Sequence, residues 1–451
     1  MPGLQYYARQ PAAKAARGSG TVVRFTWKGR DDGLRRDGRV RGVVAFLEER
    51  EIMAKRILIV GGGGNQIGFV RKAKDLGLFT GVIDGSAEAP GLHMADMGAT
   101  ANIRDPEEVT AAAERFHADG VFPAAEAGVE AAAAAAERLG LPGPGVDAAR
   151  CCRNKLAMRE RLTAQGLPGP AYASAATVTE AEAAAARFGF PLIVKPADGN
   201  ASRGVQAVNT AEDVSYAFTQ AYQHARGGGV LLESFLEGEE YCVDGLVHEG
   251  RFHLGGVTGK ERSAPPYRYD VGIFMPPPLA PDAAAAIETC VRDALDAIGF
   301  RYGTVHAEVI VTADGPRIVE IAGRPGGGRI PTDLIWLAHG HDFAADALGV
   351  ALGRAPRGAR LYERGAALYW TPGAAGRVTA VTGVDRARQV PGVKEVVIMV
   401  KPGDVLGDTV DCSGRDQVGY VLAAGDNTEA AVTAAKRARD LCAVLTRRAA
   451  S

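Results

Sequence analysis

A continuous apolar run that leads into four consecutive glycines constrains the fold of this chain more than any other feature. The run RILIV, residues 56–60, lacks polar alternation, which is typical of a parallel strand buried on both faces. It precedes glycines 61–64, a helical pattern in FVRKAKDLG and a second apolar run in FTGVID. This order of strand, glycine loop, helix and strand predicts a doubly wound α/β domain.

The glycine loop also invites a dinucleotide-binding interpretation, which we disfavour. Gly62 and Gly64 fit the first two positions of G-x-G-x-x-G, but the third falls on Ile67, and Gly68 comes one residue late. Asp84, at the end of the second run, can equally be a turn residue. The helix N-terminus behind the loop could still hold an anionic group.

Composition narrows the function classes. The 451 residues carry a formal net charge of -1 and are 47% hydrophobic, which suits roughly two to four domains with sizeable cores. A net charge this close to zero does not indicate a basic surface for nucleic acid or an anionic membrane. No apolar run approaches the roughly 20 residues of a membrane span. The cysteines form no C-x-x-C pair, which favours reduced thiols. We therefore expect a cytoplasmic protein.

The first 52 residues differ from the rest. They are rich in Arg and Gly, and they have neither a sustained apolar period nor the hydrophobic stretch of a signal peptide. We predict an extension without a fold of its own over residues 1–52, with a basic arm for nucleic acid as the alternative. Met53 stands just before the first convincing strand.

Two lysines in the next region suit phosphate binding. Lys155 lies in a helical pattern, and Lys195 follows the buried-type run LIV. A lysine at a strand end, followed by a loop of small residues at 197–205, can surround a polyphosphate with one charge and several backbone N–H donors. A lone helix lysine is more often merely solvated, whereas an unpaired ammonium after a buried strand is costly.

An acidic connector follows in VLLESFLEGEEYCVDGLV. An apolar strand runs into Glu233, the connector passes through Phe235 and Leu236, and another strand begins near Glu240. Such a connector can offer backbone groups to an adenine edge and carboxylates to amino or ribose hydroxyl groups. Taken alone, it is a hairpin with an acidic turn.

Two carboxylates lie on a predicted β-hairpin. In GTVHAEVIVTADGPRIVEIAGR two apolar strands are joined by TADG, with Asp-Gly as the turn signal. Glu308 lies on the first strand and Glu320 on the second, so antiparallel pairing can bring them side by side. Facing like charges are destabilising unless a divalent cation joins them, and Mg²⁺ suits carboxylates that share an ion with phosphates. The alternative is an exposed cross-strand pair.

In this order the motifs resemble the ATP-grasp superfamily. The resemblance rests on Lys155, IVKPADGNASRG, LLESFLEGEEYCVDG, HAEVIV and IVEIAGRPGGG, and it covers the chain from Lys55 onward. Within the superfamily the chain looks most like carboxylate–amine ligases of the L-amino acid ligase (dipeptide synthetase) type, because Arg324 and a glycine loop follow Glu320. Many ATP-grasp enzymes carry Glu-x-Asn on this strand. Ala322 takes the Asn position here, which leaves a third metal ligand in doubt.

The resemblance implies the following site. The ATP-binding residues would be Lys155, Lys195, Ser202, Gly204, Glu233, Phe235, Leu236 and Glu240. Mg²⁺, expected as two ions with Mn²⁺ as a substitute, would be held by Glu308 and Glu320. The catalytic residues would be Arg324, Lys260 and Arg268. The substrate contacts would be Glu126, Tyr267, Asp270, Gly327 and Gly328. For the residues between 257 and 279 an ordinary surface loop is the alternative.

The resemblance also implies an α/β (α+β) fold of the ATP-grasp type. We expect an N-terminal α/β domain over 53–146 and an ATP-grasp domain with antiparallel sheets over 147–354. The latter would comprise a lid subdomain at about 170–235 and a central sheet with the metal hairpin at about 236–354. A β-rich C-terminal domain with a terminal helix would occupy 355–451.

The implied reaction is the ATP-dependent joining of a small carboxylate, such as an amino acid, to an amine through an acyl phosphate, with release of ADP and phosphate. Such an enzyme would be an acid–amino acid ligase that forms carbon–nitrogen bonds. An ATP-grasp carboxylase or a purine-pathway ligase, acting on bicarbonate or a ribonucleotide, is the alternative. We expect small-molecule substrates, neither nucleic acid nor a membrane as partner, and a homodimer as the assembly to test. Glycines 326–328 would leave room in the amine pocket, so Gly328→Trp would narrow the substrate range.

Overall fold

A computed structural model describes residues 55–264 and 267–447, together with the backbone of a short strand, β1 (Tyr6–Ala8). The rest of the predicted extension over 1–52 lies outside the described residues. None of the helices in the described ranges combines the length and apolar character that a membrane span requires. No disulfide joins the cysteines, all of which lie in this part of the chain.

The N-terminal part is built on a parallel sheet. Its strands are β2 (Arg56–Val60), β3 (Phe79–Asp84), β4 (Met97–Thr100) and β5 (Gly120–Pro123). Its helices are α1 (Ile67–Asp75), α2 (Pro90–Met94), α3 (Pro106–Phe116) and α4 (Val129–Arg138). The strand order is β4-β3-β2-β5, and β1 lies antiparallel to β4.

The strand β2 is buried on both faces, as its sequence predicts. Ile57 and Ile59 belong to one apolar cluster with α1, whereas Leu58 and Val60 belong to another with α3 and α4. Asp84 accepts hydrogen bonds from the backbone N–H of Gly62 (2.7 Å) and of Ser86 (2.9 Å). Asp84 therefore stabilises the glycine loop and the turn that follows β3. This structural role agrees with the interpretation of Asp84 as a turn residue.

A small antiparallel sheet follows two helices, α5 (Val146–Arg153) and α6 (Lys155–Ala164). Its elements are β6 (Tyr172–Ala175), α7 (Val178–Phe188), β7 (Leu192–Pro196), β8 (Gln206–Val208), α8 (Val214–His224) and β9 (Val230–Ser234). The strand order is β6-β9-β7-β8, and α7 and α8 share its apolar cluster. Lys195 lies on β7 and Glu233 on β9, which are neighbouring strands.

The third part is a large antiparallel sheet. It begins with β10 (Glu239–His248), β11 (Arg251–Arg262), β12 (Asp270–Met275), α9 (Pro281–Ile298), β13 (Gly303–Thr312) and β14 (Gly315–Ala322). A π-helical turn, Ile330–Leu334, then leads into α10 (Ile335–His339) and α11 (Phe343–Ala351).

The C-terminal strands extend the same sheet. The elements of this region are β15 (Gly365–Trp370), β16 (Gly376–Thr382), α12 (Val384–Arg388), β17 (Val393–Ile398), β18 (Val405–Leu406), α13 (Cys412–Arg415), β19 (Gly419–Gly425), α14 (Thr428–Leu441) and β20 (Ala443–Arg447). Three of the strands, β15, β19 and β17, join the large sheet. The described sheet runs β14-β13-β10-β11-β12-β15-β19-β17, and β18-β16-β20 form a smaller one. Pairing of β12 with β15 carries the sheet across the predicted domain boundary between residues 354 and 355. The mixture of a parallel sheet with antiparallel sheets confirms the predicted α/β (α+β) class.

Candidate active site

A cavity of about 700 Å³ opens where the N-terminal, small-sheet, central and C-terminal parts of the chain meet. The predicted site residues that line it are Glu126, Lys155, Lys195, Ser202, Glu233, Phe235, Leu236, Glu240, Lys260, Arg268, Asp270, Glu308, Glu320, Arg324, Gly327 and Gly328. Gly204 and Tyr267 are not among the lining residues. A Cβ atom on Gly204 would face the backbone of α8 at 3.0 Å, and Tyr267 is 37% exposed.

The hairpin β13–β14 carries a β-bulge that brings the two predicted metal ligands together. Val309 opposes Ile318, but the next pair is Glu308 with Glu320, so Val319 is an extra residue on β14. Without the bulge, an even register would pair Val319 with Glu308 and turn Glu320 to the other face of the sheet. The bulge therefore decides which side of the sheet Glu320 occupies.

A buried arginine holds the bulge in place. Arg159 on α6 donates from Nη1 to the Ile318 carbonyl (2.7 Å) and from Nη2 to the Val319 carbonyl (2.9 Å). Its Nε donates to Glu233 Oε1 at 2.6 Å. One guanidinium thus joins the metal hairpin to the small sheet.

Glu233 also holds the predicted phosphate-binding lysine. Its Oε2 lies 2.6 Å from Lys195 Nζ, and both side chains are buried. Burial by itself would raise the pKa of Glu233, but Arg159 and Lys195 outweigh it and lower the pKa to about 2. Both carboxylate oxygens are engaged, so Glu233 positions Lys195 here, which differs from the predicted adenine contact.

Each predicted Mg²⁺ ligand faces a lysine. Glu320 Oε2 lies 2.7 Å from Lys155 Nζ, and Glu308 Oε1 lies 2.5 Å from Lys260 Nζ. Burial would raise the pKa of Glu308, yet Lys260 and Arg262 hold it well below its usual range. Two carboxylates that face each other across the hairpin supply the oxygen ligands that Mg²⁺ prefers, so these residues fit the ion.

Lys260 stands at the centre of a larger charge cluster. Besides Glu308, it contacts Glu240 at 3.0 Å and Asp270 at 3.8 Å. Arg262, which the sequence interpretation did not single out, also donates to Glu240. The structure therefore brings the predicted ribose, catalytic and substrate residues Glu240, Lys260 and Asp270 into one group. The guanidinium of Arg268 lies 5.7 Å from the ring centroid of Phe235, on the connector predicted to frame adenine.

Glu126 is clamped between two arginines. Arg153 Nη1 reaches Glu126 Oε1 at 2.5 Å, and Arg324 Nε reaches Oε2 at 2.5 Å. Burial opposes ionisation of Glu126, but Arg324 and Arg153 outweigh it and lower its pKa to about 2. The carboxylate predicted to contact the substrate instead holds Arg324 in position.

The glycine loop after β14 approaches a buried Asp–His pair. Both carboxylate oxygens of Asp244 lie 3.1 Å from His306 Nδ1, and the Gly326 N–H donates to Asp244 Oδ1 at 3.1 Å. A Cβ atom on Gly326 would lie 2.4 Å from that oxygen. Gly326 is therefore a close-packing position.

The space beside Gly328 is also occupied. A Cβ atom there would lie 2.7 Å from Ile273 Cδ1 and 3.2 Å from Trp370 Cη2, and the residue has φ of +59°. The prediction that this glycine leaves room is wrong, because Ile273 of β12 and Trp370 of β15 together occupy the space. A Cβ atom on Gly327, in contrast, would meet no atom of the described residues beyond its chain neighbours within 4 Å, so this position does leave space.

Two of the residues missed from the sequence carried a recoverable signal. His306 precedes Glu308 by two positions in HAEVIV, so strand alternation puts both on one face. Arg159 follows Lys155 by four positions, which puts both on one helix face. Arg153 has no such local pattern, since its partner Glu126 lies far away in the chain.

Arg159→Met should destabilise the fold. Removing the guanidinium leaves Glu233 Oε1 and two carbonyls without their buried donor, although Lys195 still contacts Glu233 Oε2, and a broken buried ion pair costs about 3–5 kcal/mol. Denaturant unfolding followed by tryptophan fluorescence measures the loss. Arg161→Met, an exposed arginine on the same helix, is the control and should change the free energy of unfolding by about 0.5 kcal/mol or less. Equal effects of the two substitutions would contradict the bridging role of Arg159.

Glu126 should make the stability of the protein depend on pH. Its pKa falls from 4.5 to about 2 on folding, so its contribution is complete above pH 4.5 and is lost as the pH falls toward 2. Thermal unfolding across this range should show a shallower acid loss in Glu126→Gln than in the unsubstituted protein. The exposed Glu130→Gln serves as control. A slope that is unchanged in Glu126→Gln would refute this assignment.

Similarity to known proteins agrees with the geometry. The family model described as ATP-grasp domain matches residues 188–333, and the model described as L-amino acid ligase C-terminal domain 2 matches residues 368–446. An uncharacterized protein, y4rH, of Sinorhizobium fredii is 30% identical over 328 residues, which are 72% of this chain and 67% of that protein. A formate-dependent phosphoribosylglycinamide formyltransferase of Saccharolobus solfataricus is 25% identical over 87% of this chain and 97% of that protein.

Among solved structures, the L-amino acid ligase from Bacillus licheniformis matches with a TM-score of 0.77 and 23% identity, over 88% of this chain and all (100%) of that one. ATP and Mg²⁺, the predicted cofactors, are those that ATP-grasp enzymes use. The chain belongs to the ATP-grasp superfamily, and its C-terminal region is of the kind found in L-amino acid ligases.

Proposed function

We propose that the protein joins a small carboxylate, such as an amino acid, to the amino group of a second amino acid or amine at the expense of ATP. One observation carries this proposal. A single cavity is lined by the predicted phosphate-binding lysines Lys155 and Lys195, by the facing carboxylates of the β13–β14 hairpin, and by Arg324 on the glycine loop after β14. The match of residues 368–446 to the C-terminal domain of L-amino acid ligases supports amino acids as substrates.

The first step transfers the γ-phosphoryl group of ATP to the carboxylate. An oxygen of the carboxylate attacks phosphorus, ADP leaves, and an acyl phosphate forms. Two anions must approach each other, so catalysis depends on positioned positive charge. Lys155 and Lys195 would supply it at the phosphates, and Arg324 would supply it at the carboxylate. Mg²⁺ held by Glu308 and Glu320 would add charge neutralisation when bound.

In the second step the amine attacks the acyl carbon, phosphate leaves, and the amine loses a proton to give the amide. Water must be excluded until the amine arrives. The loop 198–204 is suited to this task, because it lies over the lysines and already contacts the C-terminal part. The carbonyl of Ala201 in this loop accepts from the Cys412 N–H at 3.3 Å.

A screen of amino acid pairs for ADP release, with mass detection of products, tests the proposal. We expect at least one pair to release ADP and yield a product joined by an amide bond. Glu320→Gln should slow that reaction about 100-fold or more, because it removes a charge that acts on the transferring group. Glu130→Gln, at an exposed position on α4 that does not line the cavity, should leave the rate unchanged.

The same screen distinguishes the alternative. ADP release that needs bicarbonate or a ribonucleotide, and that no amino acid pair supports, would replace the amino acid ligase proposal with a carboxylase or a purine-pathway ligase. The similarity to the formyltransferase over 87% of the chain makes this the alternative to include.

Trp370 should restrict the size of the amine substrate. Its ring stands beside Gly328, and the Arg415 guanidinium stacks 3.5 Å from its centroid, which fixes its orientation. Trp370→Leu should admit bulkier amine substrates, raising their kcat/KM relative to small ones by about 10-fold. Trp336→Leu, at a position 46% exposed, is the control. A substrate ranking that is identical in the Trp370 variant and the parent would argue against this role.

A further inference from the structure

Three side chains of different chemistry converge on the face of the central sheet that lines the cavity. Cys242 on β10 directly opposes Glu308 on β13, and His306 lies two residues before Glu308, on the same face. One ligand atom from each residue lies within 4.8 Å of the other two. All three residues line the cavity.

The buried Asp244 carboxylate orients the imidazole of His306. The Asp244 carboxylate, which has no exposed side-chain surface, lies 3.1 Å from His306 Nδ1. A carboxylate that accepts from one ring nitrogen fixes the orientation of the ring, and His306 interacts on its other side with the Cys242 thiol, the second ligand of the proposed site. This carboxylate–histidine arrangement is the usual support for a metal-binding imidazole.

We propose that Cys242, His306 and Glu308 form a site for one transition-metal ion of the Zn²⁺ or Co²⁺ kind, in addition to the Mg²⁺ expected at Glu308 and Glu320. Sulfur, imidazole nitrogen and carboxylate oxygen bind Zn²⁺ at about 2.0–2.3 Å, which places tetrahedral ligands about 3.6 Å apart. The three ligand atoms lie within 4.8 Å of one another, so only a small inward movement of the side chains would bring them to these separations. Mg²⁺ prefers oxygen ligands alone and would not compete for the thiolate.

Lys260 is compatible with such an ion. Its ammonium contacts Glu308 at 2.5 Å, where the metal would approach, but it also contacts Glu240 at 3.0 Å and Asp270 at 3.8 Å. A metal ion at Glu308 therefore replaces one of its carboxylate contacts and leaves the others. Three protein ligands leave a fourth coordination position, which faces the cavity, as in open zinc sites.

Cobalt titration of the full-length protein in excess Mg²⁺ tests this site. We expect about one equivalent of Co²⁺ to produce the thiolate-to-cobalt charge-transfer absorption of a Cys-ligated ion, and Zn²⁺ to abolish it. Cys242→Ser should remove the band, whereas Cys290→Ser, a thiol next to the Pro316 carbonyl, should retain it. Asp244→Asn should weaken Co²⁺ binding about 10- to 100-fold.

Absence of the band, or an equal band in Cys242→Ser, would overturn the site. Because Cys242 is buried, circular dichroism should first show that its variant is folded, and His306→Gln provides a second variant with the same expected loss. Binding of a non-hydrolysable ATP analogue with Mg²⁺ is measured in parallel. Failure of the proposed ligase reaction would leave the cobalt band intact, and failure of the metal site would leave nucleotide binding intact.

Discussion

The three contacts of the Arg159 guanidinium are the interaction on which the rest of the site depends. Its contact with Glu233 fixes Lys195 on the small sheet, and its contacts with two carbonyls fix the bulge that turns Glu320 toward Glu308. One rigid, planar cation thus joins the strand that pairs with Lys195 to the hairpin that carries the predicted metal ligands. A lysine could not replace it, because an ammonium lacks the fork that serves three acceptors in one plane.

Several carboxylates of the cavity form ion pairs with cationic side chains of the protein itself. Glu320 pairs with Lys155, Glu308 with Lys260, and Glu126 with Arg324. Buried carboxylates of this kind would be costly without such partners. Binding of an anionic nucleotide with its cation would then exchange partners within the cavity, so lysines turn to phosphates while carboxylates turn to metal. This exchange avoids the cost of an unpaired buried charge on either side of the binding step.

Much of this arrangement could be predicted from the sequence. The doubly wound N-terminal domain followed from RILIV and the elements after it, the fold class as a whole followed from the family resemblance, and the facing pair of Glu308 and Glu320 followed from two apolar strands around a turn. The bulge at Val319 could not be predicted, because it depends on a helix elsewhere in the chain. The close packing around Gly326 and Gly328 could not be predicted from the sequence either. The first glycine packs against Asp244 and the second against Trp370, and both neighbours come from distant strands.

The continuity of the central sheet has a consequence for how substrate choice can change. Strand β15, which carries Trp370, forms main-chain hydrogen bonds with β12, so the proposed wall of the amine pocket is continuous with the central sheet. Exchange of the C-terminal region with that of another enzyme would have to rebuild this ladder residue by residue. New specificity is therefore more accessible through single side chains on β15 than through replacement of the region as a module.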